Sequence, residues 1–158
     1  MTDFLAPHHY LPHEAPMCLL ESVVAVEQES AHCRVTVSRQ GVLAPFLNAD
    51  GNLPGWFAIE IIAQTVGVWS GWHAMNNGEE ASLVGMLLGG RGLRCPAGYF
   101  AQGLQLDCHV TLLMRDEKIA SFEGQILADG NVLASGRVNT YQPDNKELKQ
   151  LFNGIAAR

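Results

Sequence analysis

Glu60 and Gln64 are the residues of this chain best suited by type and spacing to acid–base chemistry. They lie inside an otherwise apolar stretch, residues 53–75 (LPGWFAIEIIAQTVGVWSGWHAM), in which Glu60 is the single carboxylate. Side chains four residues apart share one face of a helix, one turn from each other. Because an unpaired carboxylate is costly to bury, the pair indicates either a satisfied polar link at a subunit contact or an acid–base group in a dry cleft. The stretch alone leaves both interpretations open.

A long central helix must position this pair. Pro54 suits a first helical turn, because its φ is already helical and it has no N–H to leave unbonded, and residues 76–78 (NNG) favour an end. Apolar side chains occupy almost every face of the segment, so we expect the rest of the fold to enclose it. Glu60, Gln64 and His73 argue against a membrane span.

Length predicts one domain. Its prolines make residues 1–17 irregular, and an amphipathic pattern predicts a helical tail at residues 144–158. The 158 residues and 47% hydrophobic content are ordinary for a single globular domain. A formal charge of −6 and only ten lysines and arginines argue against a nucleic-acid partner. The N-terminal residues lack the basic and apolar regions of a signal peptide, so we expect a cytoplasmic location.

The cysteines and N-terminal histidines form no recognisable redox or metal motif. The cysteines lack C-x-x-C spacing, and the histidines stand among prolines without cysteine companions. We therefore predict free thiols, no structural disulfide and no metal site. The residues concerned are Cys18, Cys33, Cys95, Cys108, His8, His9 and His13.

Alternating apolar residues predict strands before and after the helix. They cover residues 17–27, 32–38, 82–88, 103–114, 119–128 and 131–142. Asp129-Gly130 is a strong hairpin signal, residues 41–52 form a loop leading to the helix, and a glycine-rich connector carries Arg91 and Arg94. The order predicts an α+β protein in which an antiparallel sheet wraps one helix.

Three stretches resemble the hot-dog fold 3-hydroxyacyl-(acyl carrier protein) dehydratases of fatty-acid synthesis. Residues 11–23 are similar to the Leu-Pro-His opening of that family, and residues 110–138 look like its closing strands. The most specific stretch is residues 54–68 (PGWFAIEIIAQTVGV), which resembles the helix signature P-G-x-x-x-x-E-x-x-A-Q. The resemblance covers most of residues 11–142 and implies a hot-dog dimer.

The resemblance also implies roles for residues of the helix. Glu60 would be the acid or water-orienting group, Gln64 its neighbour, and the Gly55 N–H the donor that polarises the thioester carbonyl. Unbonded N–H groups and the dipole at a helix start independently favour such stabilisation of a developing enolate oxygen. The substrate would be carried on phosphopantetheine by an acyl carrier protein, with no other cofactor.

One part of the family pattern is missing. The family places a histidine, within G-H-F-P, fourteen residues before the helix glutamate, and there this chain has Phe46 in Pro45-Phe46-Leu47-Asn48. A dehydratase must remove an α-proton and expel the β-hydroxyl as water, and one carboxylic acid does only half of that well. A homodimer of this chain should therefore be a poor dehydratase.

Three functions are compatible with the missing histidine. The chain could contribute Glu60 to a site shared with a histidine-bearing paralogue, as divergent hot-dog proteins of aryl-polyene and related polyketide clusters are thought to do. It could be a thioesterase that uses Glu60, assisted by Asp50 or Asn48. It could also be a non-catalytic acyl-binding or scaffolding subunit.

Two further sites are expected around the helix start. One is an apolar acyl tunnel along the helix, lined by Trp56, Phe57 and Ile61, with Phe46 at its mouth. The alternative is that these four side chains are plain core. Arg91 and Arg94, with Arg115, would dock an acidic carrier protein or form a solvated loop.

Overall fold

The computed structural model describes residues 4–11, 18–77, 87–116 and 119–141. The predicted tail helix at 144–158, most of the predicted strand at 82–88, and residues 1–3 and 12–17 of the N-terminal segment lie outside those ranges. Within the described ranges, one α-helix and eight strands carry the fold. They are β1 (Ser22–Val26), β2 (Ser30–Thr36), β3 (Leu53–Pro54), α1 (Phe57–Asn76), β4 (Leu87–Arg94), β5 (Tyr99–Phe100), β6 (Gln105–Arg115), β7 (Ile119–Ala128) and β8 (Asn131–Tyr141).

An antiparallel six-stranded sheet packs one face against α1. Its strand order is β1-β2-β6-β7-β8-β4, and β3 pairs with β5 separately. The period-2 alternation of the sequence sets the faces, since β2 buries Ala31, Cys33 and Val35 while the residues between them are only half-buried. The α+β prediction is confirmed.

The β7–β8 hairpin forms where the sequence predicts it. Asp129 has φ 51° and Gly130 has φ 80°, which is the left-handed pair that a two-residue hairpin turn requires. From this turn the two strands pair antiparallel, from the pair Ala128–Asn131 to the pair Ile119–Tyr141.

The helix is enclosed for most of its length. Side chains from Ile61 to Trp69 are all buried, whereas Trp56 is exposed and Phe57, Ile59 and Glu60 are half-buried. The N-terminal turn of α1 and its last residues, from Trp72 to Asn76, therefore lie nearer the surface of this chain, and the middle of the helix lies in the core.

Three predicted boundaries are wrong. The helix begins at Phe57 instead of Pro54, because Leu53 and Pro54 form β3 and pair with Phe100 and Tyr99 of β5. The first strand begins at Ser22 instead of residue 17. The glycine-rich stretch with Arg91 and Arg94 is part of β4, paired with β8, and not a connector.

Within the residues that the structure describes, no helix is long and apolar enough to cross a membrane, and no group of histidine, cysteine or acidic side chains could hold a metal ion. All four cysteines are free thiols.

Candidate active site

Gln64 is a buried amide whose orientation is fixed by the chain. Its side chain is 1% exposed, and its Oε1 accepts the backbone N–H of Leu19 at 2.8 Å. Because the carbonyl end of the amide is used by that N–H, the NH₂ end must face the other way, where Nε2 donates to Glu60 Oε1 at 3.3 Å. The backbone at Leu19 thus sets the position of Gln64, and Gln64 in turn holds Glu60.

Glu60 lies at the end of the helix that opens to the surface. It belongs to the first turn of α1 and is half-buried, whereas the side chain of Gln64 next to it is buried. A carboxylate in the first turn of a helix is stabilised by the helix dipole. The structure shows a half-buried carboxylate hydrogen-bonded to a buried amide, and the acid–base role of the pair stays a prediction.

Gly55 does not present its N–H to a substrate in this chain. That N–H donates to the Gly98 carbonyl at 2.9 Å, so the donor assigned by resemblance is already engaged. A Cβ at Gly55 would lie 2.9 Å from the carbonyl carbon and oxygen of Gly98 and 3.0 Å from Cys95 Sγ. Gly55 is therefore required for the close approach of the 95–98 turn to the helix start.

The next backbone donors along the chain are the N–H groups of Trp56 and Phe57. Ala58 donates to the Gly55 carbonyl at 3.0 Å, whereas no described residue accepts the N–H of Trp56 or Phe57. These two groups stand at the helix start, where unbonded N–H groups and the dipole favour a developing negative charge.

Aromatic side chains surround the helix start. Phe46, on a short 3₁₀ turn (Ala44–Phe46), contacts the Phe57 ring with centroids 5.3 Å apart, and Phe57 in turn lies 6.0 Å from the Trp56 ring. Trp56 is 69% exposed, while Ile61 is 0% exposed and belongs to the hydrophobic core. Phe46, Trp56 and Phe57 thus meet at one place, and Ile61 lies deeper in the chain; a role for the four in acyl binding stays a prediction.

Every described histidine is held away from Glu60. His73 lies thirteen residues further along α1, about 20 Å of helix, with its Nε2 2.8 Å from the Glu27 carbonyl oxygen. His32 and His109 stack on the outer face of the sheet, and His8 and His9 lie in or beside the N-terminal 3₁₀ turn. The described part of the chain therefore brings no imidazole to the position of Phe46.

The arginines divide into two groups. Arg91 and Arg94 are exposed on β4 and line one cavity of about 440 Å³ together with Arg137 of β8. Arg115 is elsewhere, with its guanidinium 5.7 Å from the centre of the Trp69 ring. Arg137 was missed from the sequence, as were Leu19 and the 95–98 turn, because only strand register and long-range pairing bring them to these sites.

The chain has the hot-dog fold, in which an antiparallel sheet encloses one central helix. The first turn of that helix carries an acidic residue, Glu60. The model of the ApeP-like family, described as ApeP dehydratase, matches residues 5–153. The chain belongs to the ApeP-like dehydratase family.

Solved structures support the same assignment. A chain of "The Dehydratase Heterocomplex ApeI:P from Xenorhabdus doucetiae" is 58% identical, with a TM-score of 0.88, over 96% of this chain and 99% of that one. The E. coli PaaI protein of a phenylacetic acid degradation operon is 10% identical, with a TM-score of 0.57, over 76% of this chain and 81% of that one. Zebra fish thioesterase superfamily member 2 is 14% identical, with a TM-score of 0.56, over 79% of this chain and 82% of that one. The last two show the fold alone, and no curated protein matches the chain.

Proposed function

We propose that this chain is the Glu60-bearing subunit of a two-chain 3-hydroxyacyl-(acyl carrier protein) dehydratase of the aryl-polyene type. The observation that carries the proposal is a carboxylate held by Gln64 at an accessible helix start, with a phenylalanine where the family has its histidine. A histidine-bearing hot-dog paralogue supplies the missing base. The 58% identical relative is itself described as a dehydratase heterocomplex, which supports a partnership of this kind.

The proposed reaction needs two groups, one that acts at the α-carbon of the substrate and one that acts at the β-carbon. The histidine of the paralogue removes the α-proton, and the electron pair left on the α-carbon forms the double bond as the β C–O bond breaks. Glu60 protonates or orients the departing hydroxyl, so that water and a 2-enoyl thioester are the products. The Trp56 and Phe57 N–H groups stabilise the charge that develops on the thioester oxygen.

The surface of the chain offers two features to a paralogue. Strand β4 is the last strand of the sheet, and an edge strand presents unpaired N–H and C=O groups that a second chain can extend. Trp56 exposes 69% of its surface beside Glu60, although large aromatic side chains gain most from burial. A partner that pairs with β4 and covers Trp56 would close the site.

An acyl carrier protein is the proposed source of the thioester. Arg91 and Arg94 place two exposed cations on the edge strand, and a carrier is acidic, so the attraction should steer docking and weaken with salt.

The test mixes purified chain with a histidine-bearing hot-dog paralogue and follows dehydration of a 3-hydroxyacyl carrier thioester. We expect the mixture to react and each chain alone to be slow. Glu60→Gln should lower the rate of the mixture by about 10²-fold or more, which is the size of a lost acid–base group. Glu29→Gln is the matched control, because Glu29 is an exposed glutamate of the β1–β2 turn.

Thioester hydrolysis distinguishes the alternatives. If this chain alone hydrolysed acyl thioesters in a Glu60-dependent manner, without dehydration alone or with a paralogue, it would be a thioesterase and the proposal would be wrong. If Glu60→Gln left the mixed rate unchanged, the chain would be a scaffolding subunit.

A further inference from the structure

A second polar site lies on the face of the sheet that points away from the helix. Its cavity of about 440 Å³ is formed by β4, β7 and β8, and its charged lining is Arg91, Arg94, Arg137 and Glu123. Gly90 and Gly136, on the inner face of the same strands, face Ile59, the residue before Glu60. The cavity and Glu60 therefore lie on opposite sides of one part of the sheet, next to the edge strand.

A β-bulge brings the arginines together. Arg91 pairs with Arg137, but Arg94 pairs with Ser135, so β4 contains one more residue than β8 between these pairs. Residues three apart in a regular strand point to opposite faces, and one extra residue returns Arg94 to the face of Arg91. Gly92 makes the bulge possible, because its φ of +61° is strained for any other residue.

The charges in the cavity are unbalanced. Three guanidinium groups face one carboxylate, Glu123, which lies opposite Arg137 in the register. Within the ranges that the structure describes, the ion pairs are His32–Asp107 and Arg34–Asp107, so none neutralises these arginines. The Ser135 hydroxyl adds a hydrogen-bond donor to the same lining.

We infer that this bulge cavity binds a phosphoester. Guanidinium groups form paired hydrogen bonds with phosphate oxygens, and a net excess of two positive charges suits a phosphate group. A bulge that re-aims side chains is common beside functional sites. Resting on the proposed function, this phosphoester is the one at the far end of the phosphopantetheine arm, whose other end carries the substrate thiol.

Two substrates carry such an arm, and binding measurements separate them. The mixed dimer is titrated with apo-carrier and with carrier bearing unloaded phosphopantetheine, then with coenzyme A and with pantetheine, which lacks the phosphates. A preference for the modified carrier identifies the phosphodiester of the carrier arm, and a preference for coenzyme A over pantetheine without a preference for the modified carrier identifies the phosphates of coenzyme A. Either preference supports the site only if it depends on the arginines.

Arg137→Gln is the main variant, because Arg137 is exposed and its loss leaves the strand pairing intact. We expect it to weaken the phosphate-dependent preference by about threefold to fivefold, as for a solvated ion pair. Arg39→Gln removes one positive charge from a loop, where Arg39 donates to the Ala49 carbonyl, and should leave the preference unchanged. Gly92→Val keeps every charge and strains the bulge, so it should weaken the preference as well.

The inference fails if neither preference changes in Arg137→Gln or in Arg94→Gln while both variants keep the wild-type melting temperature. The phosphate site and the proposed function can be tested independently. Glu60→Gln should lower the dehydration rate by about 10²-fold and keep the phosphate preference. A wild-type mixed dimer without dehydratase activity but with an arginine-dependent preference would overturn the proposed function alone.

Discussion

At the scale of single residues, Gln64 connects stability to the candidate chemistry. It satisfies the buried Leu19 N–H on one side and holds Glu60 on the other, so one amide serves two segments that are far apart in sequence. A carboxylate placed by a dry amide is pre-organised, because the amide has no other orientation that satisfies both contacts.

Replacing Gln64 with methionine should therefore affect both properties. Methionine has a similar size and no hydrogen-bonding groups, so the Leu19 N–H loses its acceptor, which costs about 1–3 kcal/mol of unfolding free energy. Glu60 loses its support, and kcat of the mixed dimer should fall more than KM changes. Urea unfolding and steady-state kinetics measure the two effects, with Gln28→Met, at an exposed side chain, as the control. An unchanged kcat would show that Gln64 is only structural.

Local spacing predicts the Glu60–Gln64 pair, because helical periodicity places residues four apart together. It does not predict the Leu19 anchor, since the contact spans forty-five residues and involves a backbone group that any residue carries. Spacing also gives no sign that the 95–98 turn, distant in sequence, accepts the Gly55 N–H, and the role expected for that N–H stays a prediction.

At the scale of elements, β2 and β6 carry a titratable cluster on their outer face. Asp107 Oδ1 accepts from His32 Nε2 at 2.7 Å and from Arg34 Nε at 2.8 Å, and the His32 ring stacks on His109 at 3.9 Å. Burial alone would raise the pKa of Asp107, but the hydrogen bonds from His32 and Arg34 outweigh it and keep that pKa below its usual value. Burial and then the nearby His32 lower the pKa of His109.

These shifts predict a loss of stability on acidification. A lowered pKa means that the folded chain favours neutral His109, so its contribution is complete above the ordinary histidine pKa of about 6.5 and declines as the pH falls through the folded value. The Asp107 contribution has the same direction and is lost at still lower pH. Melting temperatures between pH 7.5 and pH 5 should fall less steeply in His109→Gln than in the wild type. Equal slopes would exclude His109 as a source of the pH dependence.

Periodicity predicts most strands within a few residues, but two element boundaries depend on distant partners. Pro54 is compatible with a helix start and with an extended edge, and its pairing with Tyr99 selects the second. The glycines around Arg91 suggest a loop locally, yet β8 offers an unpaired edge that orders them as a strand with a bulge. In both cases tertiary pairing outweighs local preference.

At the scale of the whole molecule, the sequence predicts the elements and their class but not which strands become neighbours. Strand β4 follows the helix and yet joins the sheet beyond β8, the last strand along the described chain. No residue pattern in β4 encodes that position. Its consequence is functional, because β4 is left at an edge of the sheet beside the exposed start of the helix, where a paralogue would complete the site.

Trp56 should be an anchor of that assembly. Its ring is 69% exposed, so Trp56→Ser should leave the melting temperature of the isolated chain nearly unchanged. If the paralogue covers the ring, the same change should weaken the mixed dimer by at least about tenfold, since buried tryptophans dominate interface energetics. Sedimentation of the two chains measures the affinity, and Val132→Ser, at a 52% exposed residue of the β7–β8 hairpin, is the control. Should Trp56 line the acyl site instead, the mixed dimer would still form and the KM for long-chain substrates would rise. No change in either quantity would exclude Trp56 from both roles.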